Sequence, residues 1–124
     1  MPLSQEEREF KNYVVDLMQS IGPVSARAMF GGYGIFLDGL MFALIADSVL
    51  YFKVDKKTEE EFKAKGLEPF TYSKKGKSFK MSYCEAPEDA LEDIEEMKYW
   101  AQKAYDTALT LSPQKSKKRR EHDS

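Results

Sequence analysis

Residues 28–54 read AMFGGYGIFLDGLMFALIADSVLYFKV. Apolar residues run almost unbroken from Met29 to Val54, cut at intervals by turn residues. Asp38-Gly39 is a strong two-residue hairpin signal, because both positions tolerate the positive φ of a type I′ turn. Asp47-Ser48 is a weaker signal of the same length. The runs between them have strand length and are rich in aromatic and branched residues. A single long helix is excluded by the glycines and the paired turns. The stretch therefore predicts three antiparallel strands. Met41, Ala43 and Ile45 share one face and Phe42, Leu44 and Ala46 the other. Val49 and Tyr51 oppose Leu50 and Phe52 in the same way. Both faces are apolar, so both need cover. Helices can take one face. The other needs sheet curvature, another helix or a second subunit, and a symmetric homodimer is the commonest form of the last.

Gly31, Gly32 and Gly34 weaken a strand and so require a reason. A bulge or close packing against bare backbone is one; a ligand approaching the backbone is the other. A dinucleotide fingerprint does not fit. Counted from Gly32, its third glycine falls at Leu37, and no helix follows.

On the N-terminal side, Ser4 and Glu7 form a capping-box pattern. Phe10, Val14, Leu17, Met18 and Ile21 then recur at helical spacing, giving a helix over about residues 5–20 that ends at Gly22-Pro23. Val24 to Ala28 leads into the meander. Arg27 there either snorkels to water or binds a carboxylate or phosphate. On the C-terminal side, Thr58 and Glu61 predict a capped short helix over about residues 58–65, stopped at Gly66. Leu67–Tyr72 leads into a fourth strand, Lys74-Lys75-Gly76-Lys77 is a turn, and residues 78–83 form a fifth. Phe79, Met81 and Tyr83 alternate with Ser78, Lys80 and Ser82, which predicts one wet face. Gly76-Lys77-Ser78 is not a P-loop: Thr71 stands where the first glycine is needed, and a strand follows in place of a helix. Pro87-Glu88-Asp89 opens one long helix with a core stripe of Leu91, Ile94, Met97, Ala101, Ala104, Tyr105 and Ala108. Trp100 and Tyr99 widen its apolar surface. Glu92, Asp93, Glu95 and Glu96 form a solvated acidic face. The fold class is thus α+β: a curved antiparallel sheet of about five strands with an N-terminal, a short middle and a long C-terminal helix.

The chain has 124 residues and a net charge of −2, with one cysteine and one histidine. Its length suits one domain over residues 1–111, with a disordered basic tail over 112–124. Cys84 alone cannot form an internal disulfide, and no secretory signal or membrane-length apolar run is present, so a cytoplasmic home is expected. His122 lies in the tail, so serine–histidine and cysteine–histidine chemistry is excluded from the folded part. No catalytic residue, metal site or cofactor is read, and the chain is taken as a non-enzyme.

Arg27-Ala28-Met29-Phe30-Gly31-Gly32-Tyr33-Gly34, Leu37-Asp38-Gly39 and Leu50-Tyr51-Phe52-Lys53-Val54 resemble the N-terminal domain of the TfoX/Sxy family. Met81-Ser82-Tyr83, Pro87-Glu88-Asp89 and the Trp100 helix continue the match, which covers about residues 5–109. The resemblance implies helices against a curved antiparallel sheet. It also implies a role near bacterial competence regulation, where the family acts as a transcriptional coactivator beside the cyclic-AMP receptor protein. Longer members carry a helical C-terminal domain that this sequence lacks. No catalytic residues carry over.

The function expected is a small interaction module, related to competence or transcription control, that works through protein contacts. Its candidate partner-binding residues are Arg27, Met29, Phe30, Gly31, Gly32 and Trp100. The alternative is a direct, non-specific nucleic-acid binder using Lys74, Lys75 and Lys77 with Lys117, Lys118, Arg119 and Arg120.

Overall fold

The computed structural model describes residues 5–29 and 31–112. The elements run α1 (Gln5–Met18), β1 (Ser25–Met29), β2 (Gly32–Leu37), β3 (Leu40–Ala46), β4 (Val49–Lys53), α2 (Lys56–Ala64), β5 (Pro69–Lys74), β6 (Lys77–Glu85), α3 (Glu88–Glu92) and α4 (Ile94–Leu111). The strands form one six-stranded antiparallel sheet in the order β1-β2-β3-β4-β6-β5. The fold is α+β, as expected, with one strand more than the sequence pattern suggested. That strand is β1, which pairs Ser25–Met29 with residues 32–36 of β2.

The turns form where their chemistry allows. Asp38 and Gly39 have φ of 54° and 76°, Asp47 and Ser48 of 52° and 60°, and Lys75 and Gly76 of 51° and 77°. Two consecutive left-handed residues match the right-handed twist of the flanking strands.

One register shift changes the faces. Ile35 pairs with Ala43, but Phe36 pairs with Met41, which leaves Phe42 as the extra residue of a bulge on β3. Strict alternation therefore fails at this point. Phe42 turns to the same side as Ala43, is fully buried, and meets the Tyr105 ring edge-on at 5.9 Å. Met41 falls on the opposite side, beside Phe36 and Gly34. The expected grouping of Met41 with Ala43 and Ile45 is corrected accordingly.

The helices cover one face of the sheet. α4 packs over β3 and β4, and α1 lies against α4 and β1. Val14, Met18, Ile35, Ile45, Leu50, Phe52 and Met97 close the core between these layers. α2 adds Phe62, whose ring lies 5.2 Å from that of Trp100. The Cys84 thiol sits in this core, and burial raises its pKa.

Two helix boundaries differ from expectation. α2 starts two residues early because Asp55, not Thr58, is the N-cap. Asp55 Oδ1 accepts from Thr58 N at 2.7 Å, and Thr58 Oγ1 accepts from Asp55 N at 2.9 Å. The C-terminal helix is broken in two. Asp93 is extended at φ −141° and ψ 125° and caps α4 by accepting from Glu95 N at 3.1 Å. The break swings Ile94 out of the stripe, to 50 % exposure. Tyr13 ties α1 to α3 by donating to the Leu91 carbonyl. Ser4 and residues 113–124 lie outside the described residues, and so do the first capping box and the tail.

Candidate docking face

Opposed residues in the registers share a side, and sides alternate along each strand. Arg27 and Met29 of β1, Gly32, Gly34 and Phe36 of β2, and Met41 and Leu44 of β3 therefore point away from the helices. Tyr51 and Lys53 of β4 continue the row, and Tyr83 and Glu85 of β6 complete it. Among the described residues no helix packs on this side. Met29, Phe36, Met41, Leu44, Tyr51 and Phe70 consequently stop at half-burial. Tyr51 and Phe70 cover each other, with ring centroids 4.8 Å apart. An apolar band thus crosses the sheet with none of the described helices over it.

The glycines shape this face from beneath. A Cβ at Gly34 would lie 2.8 Å from Met29 Sδ, 3.0 Å from Phe36 Cε1 and 3.2 Å from Met41 Sδ. Three long side chains close over bare backbone there, which the absence of a Cβ permits. A Cβ at Gly32 would meet the Ile45 carbonyl oxygen at 2.1 Å, so Gly32 is needed for strand approach. Gly31 differs: its φ is 76° and nothing stands within 4 Å of its missing Cβ. It serves the β1–β2 turn.

Charges sit at the margins of the band. The Arg27 guanidinium lies 4.8 Å from the Phe36 ring centroid, and Lys53 Nζ lies 5.0 Å from that of Tyr83. Both cations rest on ring faces, where the quadrupole attracts them. Partial burial pushes the Lys53 pKa down. The Tyr51 hydroxyl is pushed up, first by burial and then by the charges of Glu85 and Asp47. Glu85 Oε1 accepts from Glu68 N at 3.3 Å, which draws the carboxylate toward β5.

At one corner the β5–β6 hairpin projects beyond the sheet. β4 pairs only with residues 83–85 of β6, whereas the outer half of β6 pairs with β5 alone. Phe79 is 48 % exposed, Met81 39 % and Tyr72 38 %, with Tyr72 opposite Phe79. The expectation of one wet face on this strand is corrected: from Lys77 to Ser82 both sides are exposed, because the neighbouring strand is too short to support them, and burial begins only at Tyr83. Lys80, on the other side, pairs with Glu59 of α2 at 2.9 Å.

The structure brings Arg27, Met29 and Gly32 together on the open face, with Gly31 at its rim. Phe30 lies outside the described residues. Trp100 lies on the other side of the sheet, 5 % exposed between Phe62 and Tyr99, with Nε1 donating to Glu96 Oε1 at 3.3 Å. Lys75 and Lys77 are exposed at the hairpin tip, where the Lys74 backbone pairs with Lys77. Lys117, Lys118, Arg119 and Arg120 lie outside the described residues. Sequence reasoning did not single out Phe36, Met41, Leu44, Tyr51 or Phe70. The signal was available in the apolar character of both strand faces. Among the described residues no cluster of three or more His, Cys, Asp or Glu side chains could hold a metal ion. No described helix is long and apolar enough to cross a membrane.

Over the described residues these features define an α+β domain with helices on one side of a six-stranded sheet and an apolar band on the other. Residues 16–108 match the model of the TfoX N-terminal domain, and the chain belongs to that family. It is similar to the DNA transformation protein TfoX1 of Aliivibrio fischeri, 31 % identical over 86 residues. The match takes in 69 % of this chain and 39 % of that protein, so the chain spans about two-fifths of the relative's length.

Proposed function

We propose that this chain is a protein-docking module that serves DNA transformation, and that it engages other proteins through the bare face of its sheet. The single observation that carries the reading is the band from Met29 through Phe36, Met41, Leu44 and Tyr51 to Phe70, left half-buried with none of the described helices over it. Contiguous apolar patches of this kind mark interaction surfaces on soluble domains. The relative's printed name supplies the process. Regulation of competence or transcription by protein contact is the form this docking takes, in the cytoplasm, and no catalysis is assigned to it.

The test is genetic. Transformation frequency is measured in the encoding organism after deletion of the gene and complementation with wild type, Leu44→Lys or Tyr51→Glu. Wild type should restore transformation and the two variants should not, while their circular dichroism stays native. Full restoration by both variants refutes the docking face.

A second reading is favoured by one feature. The exposed rings of Tyr72 and Phe79 stand beside Lys75 and Lys77 on the projecting hairpin. Rings that stack bases beside cations that track phosphates are the parts of a single-strand binder. Such binding would fall steeply with salt. A gel shift with single-stranded DNA at low salt, using wild type and Lys75→Glu/Lys77→Glu, decides it; no shift by wild type ends this reading.

A further inference from the structure

We infer that the outer edge of β1 takes an extended segment of a partner protein as an added strand, acidic residues first and an apolar residue after them. The edge is separate from the open face and does not depend on what docks there.

The backbone is the first support. β1 is an outermost strand and pairs only with β2. Two residues connect these strands, so the closing pair Met29 and Gly32 exchanges backbone hydrogen bonds. Bonded pairs alternate along an antiparallel ladder, so Arg27 and Ser25 bond to β2 as well. The N–H and C=O of Ala26 and Ala28 therefore point outward, and nothing among the described residues bonds them. Val24, next in the outward series, shows that such a group is within reach of α1: Gln19 Nε2 donates to its carbonyl at 2.9 Å. Edge strands are usually blunted by charges, prolines or bulges. Ala26 and Ala28 supply none of these, and Ala28 is exposed.

Charge fixes what the edge takes. A groove of about 290 Å³ runs beside it, lined by Lys11, Asn12, Val15 and Asp16 of α1, by Gln19 and by Ala26. Strand addition draws affinity from main-chain bonds and specificity from pockets for alternate side chains. Residues opposite Ala26 and Ala28 turn their side chains into the groove, and the residue between them turns to the other side of the sheet. Lys11 stands level with Ala28, because its Nζ lies 5.3 Å from the ring of Tyr33, which pairs with Ala28. Asp16 lies further along α1, toward the end where Gln19 reaches Val24. Arg27 lies on the open side, over Phe36. Neither Lys11 nor Arg27 has an ion pair among the described residues. An acid opposite Ala28 meets Lys11, and an acid opposite Arg27 meets the guanidinium. Opposite Ala26 the walls are Val15 and the alanine methyl, and Asp16 repels an acid there. Running antiparallel to β1, as β2 does, the segment reads acidic, acidic, apolar.

The probe is the blocked peptide acetyl-Thr-Glu-Glu-Val-Thr-amide, titrated into the full chain to about 2 mM and followed by amide NMR, which covers the weak range expected of a few main-chain bonds. In the free protein the Ala26 and Ala28 amides should exchange with deuterium faster than the Arg27 amide. With peptide, both should shift and their exchange should slow about tenfold or more. Lys11→Glu with Arg27→Glu should weaken binding about tenfold or more, and should instead take the peptide with lysines in place of glutamates. Methylating the amide nitrogen of the first glutamate should abolish binding, because that N–H bonds Ala28, while methylating the second, which points away, should not. These two peptides leave the protein unaltered, so no folding defect enters the comparison. Ala26 and Ala28 amides that do not shift, or that exchange as slowly as Arg27 in the free protein, overturn the inference. So does binding indifferent to charge reversal or to which glutamate is methylated. Shifts at Leu44 and Tyr51 in place of Ala26 and Ala28 overturn the edge and support the open face.

Discussion

The two sides of the sheet carry similar side chains and meet different fates. On the helix side, Phe42, Phe52, Ile35 and Leu50 are no more than 1 % exposed. On the other, Phe36, Leu44 and Phe70 are as apolar, Tyr51 differs by its hydroxyl, and all four stop at half-burial. Strand chemistry does not separate them. The difference lies in what folds back over each side: α1, α2 and α4 over one, none of the described helices over the other. Two apolar strand faces with the described helices over only one of them are what the proposed docking reading rests on.

The comparison can be broken by mutation. The largest effect is expected on the covered side, where Phe52→Ala should cost about 3–5 kcal/mol in urea denaturation, because the cavity cannot collapse between the sheet and α4. Gly32→Ala should come next, at about 2–4 kcal/mol, since its Cβ meets a backbone oxygen that cannot move without shifting β3. Gly31→Ala, strained only in φ, should cost about 1 kcal/mol. On the open side, Leu44→Ala should cost about 1 kcal/mol in dilute solution, as half-burial removes less area from water. If Leu44→Ala matches Phe52→Ala under those conditions, the two faces are not different and the account fails.

A smaller effect depends on pH. Hydrogen bonds to the Asp55 carboxylate, first from the Thr58 amide, hold its pKa below the ordinary value. A group depressed in the folded state adds stability above its unfolded pKa and loses it as pH falls through the folded one. Wild type should therefore lose an increment of stability as pH falls from about 5 toward 2 that Asp55→Ala does not lose. At neutral pH that variant should be less stable by about 1 kcal/mol. Equal acid sensitivity of the two proteins would show that the cap does not act through its charge.

Much of the fold was legible because its turns are written in residues that tolerate positive φ. Asp38-Gly39, Asp47-Ser48 and Lys75-Gly76 each sit where two left-handed residues are needed. What escaped lacked a local signature. β1 reads Ser-Ala-Arg-Ala-Met, without branched residues or clear alternation, and is a strand because β2 pairs with it. The bulge at Phe42 has no glycine or turn residue to mark it; it follows from the Tyr105 contact across the core. The break at Asp93 is hidden because helical spacing continues through it and its capping carboxylate sits in an acidic run. The candidate face was half legible. Two apolar strand faces announced a surface in need of cover, and Arg27 and Met29 were picked out by the motif around them. Trp100 was picked out on residue type, and its side of the sheet depends on tertiary packing. The projecting hairpin was invisible, since the length mismatch of β4 and β6 leaves no trace in either strand's own pattern.

The methionines report on both faces within one sample. Met18 and Met97 are fully buried on the helix side, while Met29 and Met41 are only half-buried on the open side. Mild peroxide oxidation of the full chain, read by mass spectrometry, measures each in turn. The account predicts that Met29 and Met41 oxidise readily and that Met18 and Met97 resist. Oxidation of Met29 and Met41 as slow as that of Met18 would contradict an open face.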